Sequence, residues 1–406
     1  MQYQLNSEGE RRLAEFVDRI GNVLGHPSRK ESFAIYALGL LGDGERKSIE
    51  PIAARACPDP KRIEAMHQKL LHFVGVSDWQ DIDVRRTAAQ YALPLLTRHD
   101  PISAWVLDDT GMLKQGTHSV GVQRQYTGSA GKIANCQIAV GLSVTTRRDH
   151  LAIDFDLYLP RSWTGDRARR IEGGIPKRIR FRTKTEIGLD LVRRAVEADI
   201  PRGVVLADSA YGDSAKFRRA LRQLGLHYGV GVSANLTVWR ADKFEVRRGD
   251  KIALKDLAAK TPAKAIRKVT WREGTKGKLS ARFAVRRVVP CRADGVPPID
   301  REVVWLLIEW EDGKTEPSKY YLCSLPRETT RKQLIRTLKQ RWRTERIFED
   351  LKGELGFDHF EGRSYRGWQH HVSVVLCCYA FVAGERALAF SPSGGKTLDG
   401  PEQVAA

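Results

Sequence analysis

Three acidic residues stand where two strand ends and one helix could bring them together. Asp109 follows the apolar run Ala104-Trp105-Val106-Leu107, after Asp108, and Asp208 follows Val204-Val205-Leu206-Ala207. Glu345 lies in a helical stretch, after Arg341 and before Lys352. A carboxylate at the end of an apolar strand does little for stability, but it is well placed to hold a metal at the edge of a sheet. Two divalent ions about 3.5–4 Å apart activate water on one side of a phosphodiester and stabilise the leaving oxygen on the other. Mg²⁺ takes oxygen ligands and needs few protein carboxylates, because water and phosphate fill the remaining positions. Three acids therefore suffice for two Mg²⁺ ions, with Mn²⁺ as a substitute, and Asp109, Asp208 and Glu345 are the candidate catalytic and metal-holding residues. The chemistry implied is metal-dependent cutting or joining of nucleic acid.

Charge points to the same partner. The 406 residues carry 68 Lys and Arg against 49 Asp and Glu, a formal charge of +19, and the pI is near 9.8. Such an excess favours a polyanion, whose condensed counterions are released on binding. From Arg161 to Lys184 there are nine basic residues and two acids. That run, with Arg124 and Lys132, is a candidate track for DNA phosphates or a set of solvated loops. The six cysteines (57, 136, 291, 323, 377, 378) form no C-x-x-C pair, which suits buried, reduced thiols in a reducing compartment. The N-terminal residues lack the basic and apolar regions of a secretion signal. The longest apolar run, 372–383, is too short to span a bilayer. The expected location is the cytoplasm, associated with the nucleoid when DNA is bound, with no membrane partner.

The elements that must position the acids follow from periodicity. Residues 1–98 read as short helices: 8–23, 33–41, 49–56, 61–74 and 84–96, with breaks at Gly42-Asp43-Gly44 and Pro58-Asp59-Pro60. They fit either a DNA-binding helical module or a helical cap on the main domain. From 104 the pattern turns to strands at 104–109, 133–145 and 151–159. A helix at 183–198, a strand at 203–207, a helix at 213–224 and a strand at 227–232 follow. Three meandering strands and then alternating helices and strands is the order of a ribonuclease-H-like α/β domain, which places the first and fourth strands side by side and parallel. Residues 235–328 read as a β-rich, mostly antiparallel insertion. The core resumes over 329–390 with the helix of Glu345, and 391–406 reads as a disordered tail.

The Glu345 helix is expected to start at the N-cap Thr330 and run to about Glu354, with Gly356 as the stop. On one continuous helix, Ile335, Leu338, Trp342, Glu345, Glu349 and Lys352 share a face that points to the core at its start. Arg341 and Lys352 then lie within about 40° of Glu345, at 3.6 residues per turn, where they would grip phosphate oxygens.

These blocks resemble a known family. Leu107-Asp108-Asp109-Thr110-Gly111, the stretch from Lys114-Gln115-Gly116 to Arg124-Gln125-Tyr126, and Gly131-Lys132-Ile133-Ala134-Asn135-Cys136-Gln137 are similar to the DDE transposases of the insertion sequence 701 family. So are Val205-Leu206-Ala207-Asp208-Ser209-Ala210-Tyr211-Gly212 and the region from Arg341 through Glu345 and Lys352 to Ser364. The resemblance spans roughly residues 30–385. It implies a ribonuclease-H-like core with a β-rich insertion before the Glu. It further implies Mg²⁺-dependent cleavage at transposon ends, then attack of the 3′-hydroxyl on target DNA. The partners it implies are terminal inverted repeats, target DNA and further copies of the chain, as a homodimer or larger oligomer. Relatives in the insertion sequence 4 group carry a Tyr-Arg-Glu-Lys signature. Arg341, Glu345 and Lys352 match its last three members, while Leu338 stands in the Tyr position. Asp109 rather than Asp108 matches the family acid, which precedes Thr. Alternatives are a structure-selective nuclease on the same core and a catalytically idle DNA-binding derivative.

Other motifs carry less. Any one of Trp239, Trp271, Trp305 and Trp310 is expected in the core rather than against a base. His370 and His371 are adjacent, so they point in different directions on a helix, which suits polar contacts rather than a metal. The Gly111–Gly116 stretch lacks the Lys and the following helix of a phosphate loop.

Overall fold

The computed structural model describes residues 7–241, 251–274, 277–291 and 302–389. The tail expected to be disordered, 391–406, lies outside the described residues. Five helices open the chain: α1 (Ser7–Leu24), α2 (Pro27–Leu41), α3 (Ile49–Ala56), α4 (Ile63–Gly75) and α5 (Asp81–Leu96). Four are close to their sequence-based bounds, because proline and glycine breaks separate their apolar stripes, while α2 begins six residues before the expected start at 33. Their buried residues, among them Phe16, Phe33, Phe73 and Val84, form one core with the last helix, α14 (Tyr365–Ala389), and with the sheet. The opening helices are thus packed on the main body.

The sheet begins with β1 (Ala104–Leu113), β2 (Gln123–Thr127), β3 (Lys132–Thr145) and β4 (His150–Tyr158). The short strand β2 was not expected, since its alternation of half-buried and exposed residues contains no apolar run. Two one-turn-scale helices, α6 (Arg161–Thr164) and α7 (Arg167–Glu172), lead to α8 (Lys184–Glu197). After these come β5 (Val204–Ala207), α9 (Ser209–Gly212), α10 (Ala215–Gln223) and β6 (Tyr228–Val232). As expected, β1 and β5 are neighbours and parallel, with Val106 opposite Leu206.

The insertion holds β7 (Thr237–Arg240), β8 (Ile252–Ala253), α11 (Leu254–Ala259), β9 (Arg267–Gly274), β10 (Gly277–Pro290), β11 (Val304–Trp310) and β12 (Lys319–Cys323). Its strands are antiparallel, and they continue the core sheet instead of closing on themselves. β12 returns to pair with β6, giving one mixed sheet in the order β2-β3-β1-β5-β6-β12-β11-β10-β7-β8. This is a mixed α/β architecture with an open sheet and flanking helices, consistent with the ribonuclease-H-like expectation.

The stretch expected as a single helix is three pieces: α12 (Arg331–Leu338), a 3-10 turn over Lys339–Trp342, and α13 (Arg343–Gly353). The start is as expected, because Thr330 and Gln333 form a reciprocal capping box. Gly356 is also a stop, at φ +65°. The turn in between overturns the shared face. A 3-10 turn advances 120° per residue against 100° in an α-helix, so four residues add about 80° of rotation. Ile335 and Leu338 are buried, but Trp342, Glu345 and Glu349 are exposed, and α13 turns Thr344, Ile347, Asp350 and Leu351 inward.

α12 covers one face of the sheet, where Leu334, Ile335 and Leu338 pack with Val106, Leu206, Phe283 and Leu307. α14 is long and apolar enough to cross a bilayer, the one such helix among the described residues, but two thirds of its apolar window is buried inside the protein. Its adjacent histidines make the polar contacts expected of them. His370 meets the carbonyls of Val74 and Trp79, and His371 meets the Tyr36 hydroxyl and the Gly356 carbonyl. All six cysteines are free, and five are buried. Of the insertion tryptophans, Trp239 and Trp310 are buried. Trp305 donates to the Pro326 carbonyl, and Trp271 lies edge-on to Phe283.

Candidate active site at the sheet edge

Alternation along β1 sends Asp108 and Asp109 to opposite faces. Asp108 shares its face with Val106, and there Arg341, from the 3-10 turn, donates to its carboxylate. Asp109 faces α8, where Lys184 Nζ sits 2.8 Å from Oδ2. Asp208 ends β5 and caps the one-turn α9, accepting from Ala210 N at 3.0 Å. That turn is held tightly to β6: a Cβ on Gly212 would lie 1.9 Å from the Gly231 carbonyl oxygen. Only glycine allows the approach, and it fixes where Asp208 leaves its strand.

The three aspartates feel one another. Burial pushes the Asp108 carboxyl up to about 7; Arg341 opposes this, while Asp208 and Asp109 add repulsion. Asp208 is also raised, by burial first, with Arg341 opposing and Asp109 repelling. Tyr211, three residues beyond Asp208, is buried, and its hydroxyl has no hydrogen-bond partner. Its titration is pushed far up by burial and then by Asp109, Asp108 and Asp208. The sequence gives Tyr211, three residues after Asp208, no role of its own, and places Lys184, which opens a helix behind the capping box Thr183–Glu186, only in the basic run. Asp108, which the family pattern leaves aside in favour of Asp109, joins them here.

Glu345 stands apart. It is exposed in the first turn of α13 and makes no hydrogen bond or ion pair among the described residues. No three His, Cys, Asp or Glu side chains among the described residues are gathered closely enough to hold a metal. Nevertheless the donor set suits a hard divalent cation. Asp108, Asp109 and Asp208 bring three carboxylates against two cations, Arg341 and Lys184, and an orphaned buried hydroxyl lies in their field. Oxygen donors with a negative excess are what Mg²⁺ takes.

The basic residues divide into two groups. Arg341 is engaged with Asp108, and Lys352 donates to the Gly111 carbonyl at 2.7 Å and to Ser129 Oγ at 2.9 Å. Within the Arg161–Lys184 run, Arg182 and Lys184 pair with acids, and Arg170 holds the carbonyls of Pro176 and Ile179. By contrast Arg161, Arg167, Lys177, Arg178 and Arg180 are exposed and form no ion pair among the described residues, and Arg124 and Lys132 are likewise exposed and unpaired.

Every residue of the 3-10 turn reaches a different partner. Lys339 Nζ lies 2.5 and 2.6 Å from the two carboxylate oxygens of Glu309 on β11. Gln340 Oε1 accepts from Ser103 at 2.7 Å and Thr145 at 2.9 Å. Arg341 takes Asp108, and Trp342 lies under the Arg272 guanidinium at 3.7 Å. The turn ties the insertion, the strand ends and the acid site together.

A family model described as DDE superfamily endonuclease matches residues 19–278, and one described as transposase DDE domain matches 182–381. Asp109 and Asp208 fall in the first match, Asp208 and Glu345 in the second. A protein of Microchaete diplosiphon described as probable transposase for insertion sequence element IS701 is 31% identical over 206 residues, 50% of this chain and 49% of its own length. The chain thus spans about half the length of the curated relative it matches.

Proposed function

This chain belongs to the DDE superfamily of endonucleases, and on that footing we propose that it is a transposase that cuts DNA at the ends of its element and joins the freed 3′-hydroxyls to target DNA. The observation that carries the reading is that Asp108, Asp109 and Asp208 stand at the ends of two adjacent parallel strands, Asp108 countered by Arg341 on one face and Asp109 by Lys184 on the other.

Asp109 and Asp208, with Glu345 brought in from α13 and Asp108 beside them, are the residues that would hold divalent ions. Such ions, when bound, supply an activated oxygen nucleophile and shield charge on the phosphorus. The chain does the rest. Burial first, and then repulsion between them and Asp109, raises Asp108 and Asp208, so a divalent cation held there would favour their charged forms. Arg341, whose planar fork suits a phosphate oxygen, would be free to hold one if a divalent ion replaced it beside Asp108. Lys352 keeps α13 against the Gly111 carbonyl and so fixes the helix that carries Glu345. The exposed cations of the 161–184 run, with Arg124 and Lys132, line the approach of a polyanion. The helices of residues 1–98 contribute further DNA contacts, and the chain acts as a homodimer or larger oligomer on paired ends.

The test uses labelled duplexes carrying the element's own terminal repeats, a plasmid target, and Mg²⁺ or Mn²⁺. Wild-type protein should release 3′-hydroxyl ends and insert them, and chelation should stop both. Asp208→Asn and Glu345→Gln should each lower cleavage by at least a hundredfold while leaving DNA affinity within a few-fold. Cleavage by either variant at the wild-type rate would remove the proposal.

A further inference from the structure

The hairpin of β2 and β3 has a feature that the acid site does not explain. Tyr126 and Ile133 are directly opposite one another in its register, and they are 64% and 61% exposed. Arg124, two residues before Tyr126 on the same strand, projects to the same side. Side chains this large, paired across the hairpin at the sheet edge and pointing outward, gain little from folding.

Nor is the hairpin loose. At its start, Ser162 Oγ donates to Gln123 at 2.8 Å and Trp163 Nε1 to the Val122 carbonyl at 2.8 Å. Thus the start of β2 is fastened to the segment bearing the unpaired cations. At its tip, Lys352 of α13 donates to Ser129 Oγ at 2.9 Å, and Ser129 donates to the Gly111 carbonyl at 3.1 Å. Gly111 is two residues beyond Asp109. Thr127 is buried, packed where a Cβ on Gly111 would strike its hydroxyl at 1.9 Å. The exposed pair therefore stands between a basic surface and the acid-bearing strand, on a support fastened at both ends.

We propose that Tyr126 and Ile133 form a wedge that enters duplex DNA beside the cleavage site and unstacks a base step there. The occupant is DNA because of charge: Arg124 stands beside the pair on the same face and Lys132 adjoins Ile133 on the other face of the hairpin, both exposed and without an acid partner among the described residues, as are Arg161, Arg167, Lys177, Arg178 and Arg180. A second copy of a chain with formal charge +19 would meet repulsion at this surface. Apolar side chains inserted between base steps unstack and kink a duplex, and the lost stacking is offset by the added contact. A tyrosine ring can stack on any base, so the wedge needs no sequence of its own. Opening the duplex at this point frees one strand to reach the carboxylates of β1 and β5. The inference rests on the transposase reading and adds to it a device for local strand separation.

The experiment places 2-aminopurine near the cleavage position of an end duplex and uses metal-free Asp208→Asn protein, which binds without cutting. Binding should raise the fluorescence at least twofold. Adding Tyr126→Ser and Ile133→Ser in that background should abolish the rise, with affinity by anisotropy kept within about fivefold. In otherwise wild-type protein, the same pair of substitutions should lower cleavage of a fully paired end at least tenfold. Cleavage of an end with bases already unpaired should return to within threefold of wild type. An undiminished fluorescence rise, an equal loss on both substrates, or a change of subunit number in light scattering on introducing the pair would overturn the wedge. Fluorescence behaving as expected in a protein that never cuts would remove the enzymatic reading and support the wedge.

Discussion

Replacing Lys339 with alanine tests how the 3-10 turn is held. Glu309 is 2% exposed, and Lys339 satisfies both of its carboxylate oxygens, while Tyr321 adds one hydrogen bond at 2.8 Å. The Lys339 ammonium also lies 4.7 Å from the centre of the Trp271 ring. Burial lowers its proton affinity, and Glu309 opposes that shift. Removing the ammonium strands a buried carboxylate with only the tyrosine hydroxyl. Breaking a buried pair in this way costs about 3–5 kcal/mol, whereas replacing both partners by apolar residues of similar volume costs far less. With an unfolding entropy of about 2.1 cal/mol/K per residue over a chain of this length, the loss corresponds to a fall in Tm of about 4–6 °C. Lys339→Met combined with Glu309→Met should recover more than half of it. The assay is thermal unfolding of wild type, Lys339→Ala and the double variant at pH 7 and fixed salt. A fall below 1 °C for Lys339→Ala, or a double variant no more stable than the single one, would refute the argument that this pair anchors the turn.

Gly212→Ala should lower stability by at least about 2 kcal/mol, as backbone strain of this kind does, because the new methyl meets the Gly231 carbonyl and neither element can withdraw without moving Asp208; urea unfolding reads it, and a loss under 0.5 kcal/mol would contradict the close approach. Arg341→Ala should weaken binding to DNA ends and flatten the dependence of log affinity on log salt by about one unit; an unchanged affinity and slope would show that Arg341 serves only Asp108. Acid should destabilise the fold through its buried histidines. Burial depresses His150 and His371 to about 3 and His370 to about 4. Groups depressed below their ordinary value near 6.5 contribute stability that is whole above about pH 6.5 and is lost as the pH falls toward 4 and 3. Unfolding near pH 5 should therefore take up about three protons at these sites, and His371→Gln should make the fall of Tm between pH 7 and 4.5 shallower; an identical slope in that variant would count against the assignment.

Much of this molecule was legible in its residues because the signals involved are local. Helical stripes interrupted by proline and glycine marked out the first five helices. The continuous apolar runs before Asp109 and Asp208 named two parallel neighbours, and the N-cap Thr330 and the stop Gly356 marked the limits of the late helical segment. What failed had causes outside the local pattern. The strand β2 is half polar and is recognised only by its partner β3. The break at Lys339–Trp342 arises because Glu309, the Ser103–Thr145 pair, Asp108 and Arg272 each draw one side chain from the turn, and no stretch of four residues announces four distant partners. Composition and spacing by themselves determined the acids, the cations and the order of the elements. Only the folded chain decided that Asp108 and Asp109 look to opposite faces with different counter-ions, that Glu345 is exposed, and which cations in the basic run are left unpaired. Register and long-range charge pairing set those outcomes, and both depend on residues far apart along the chain.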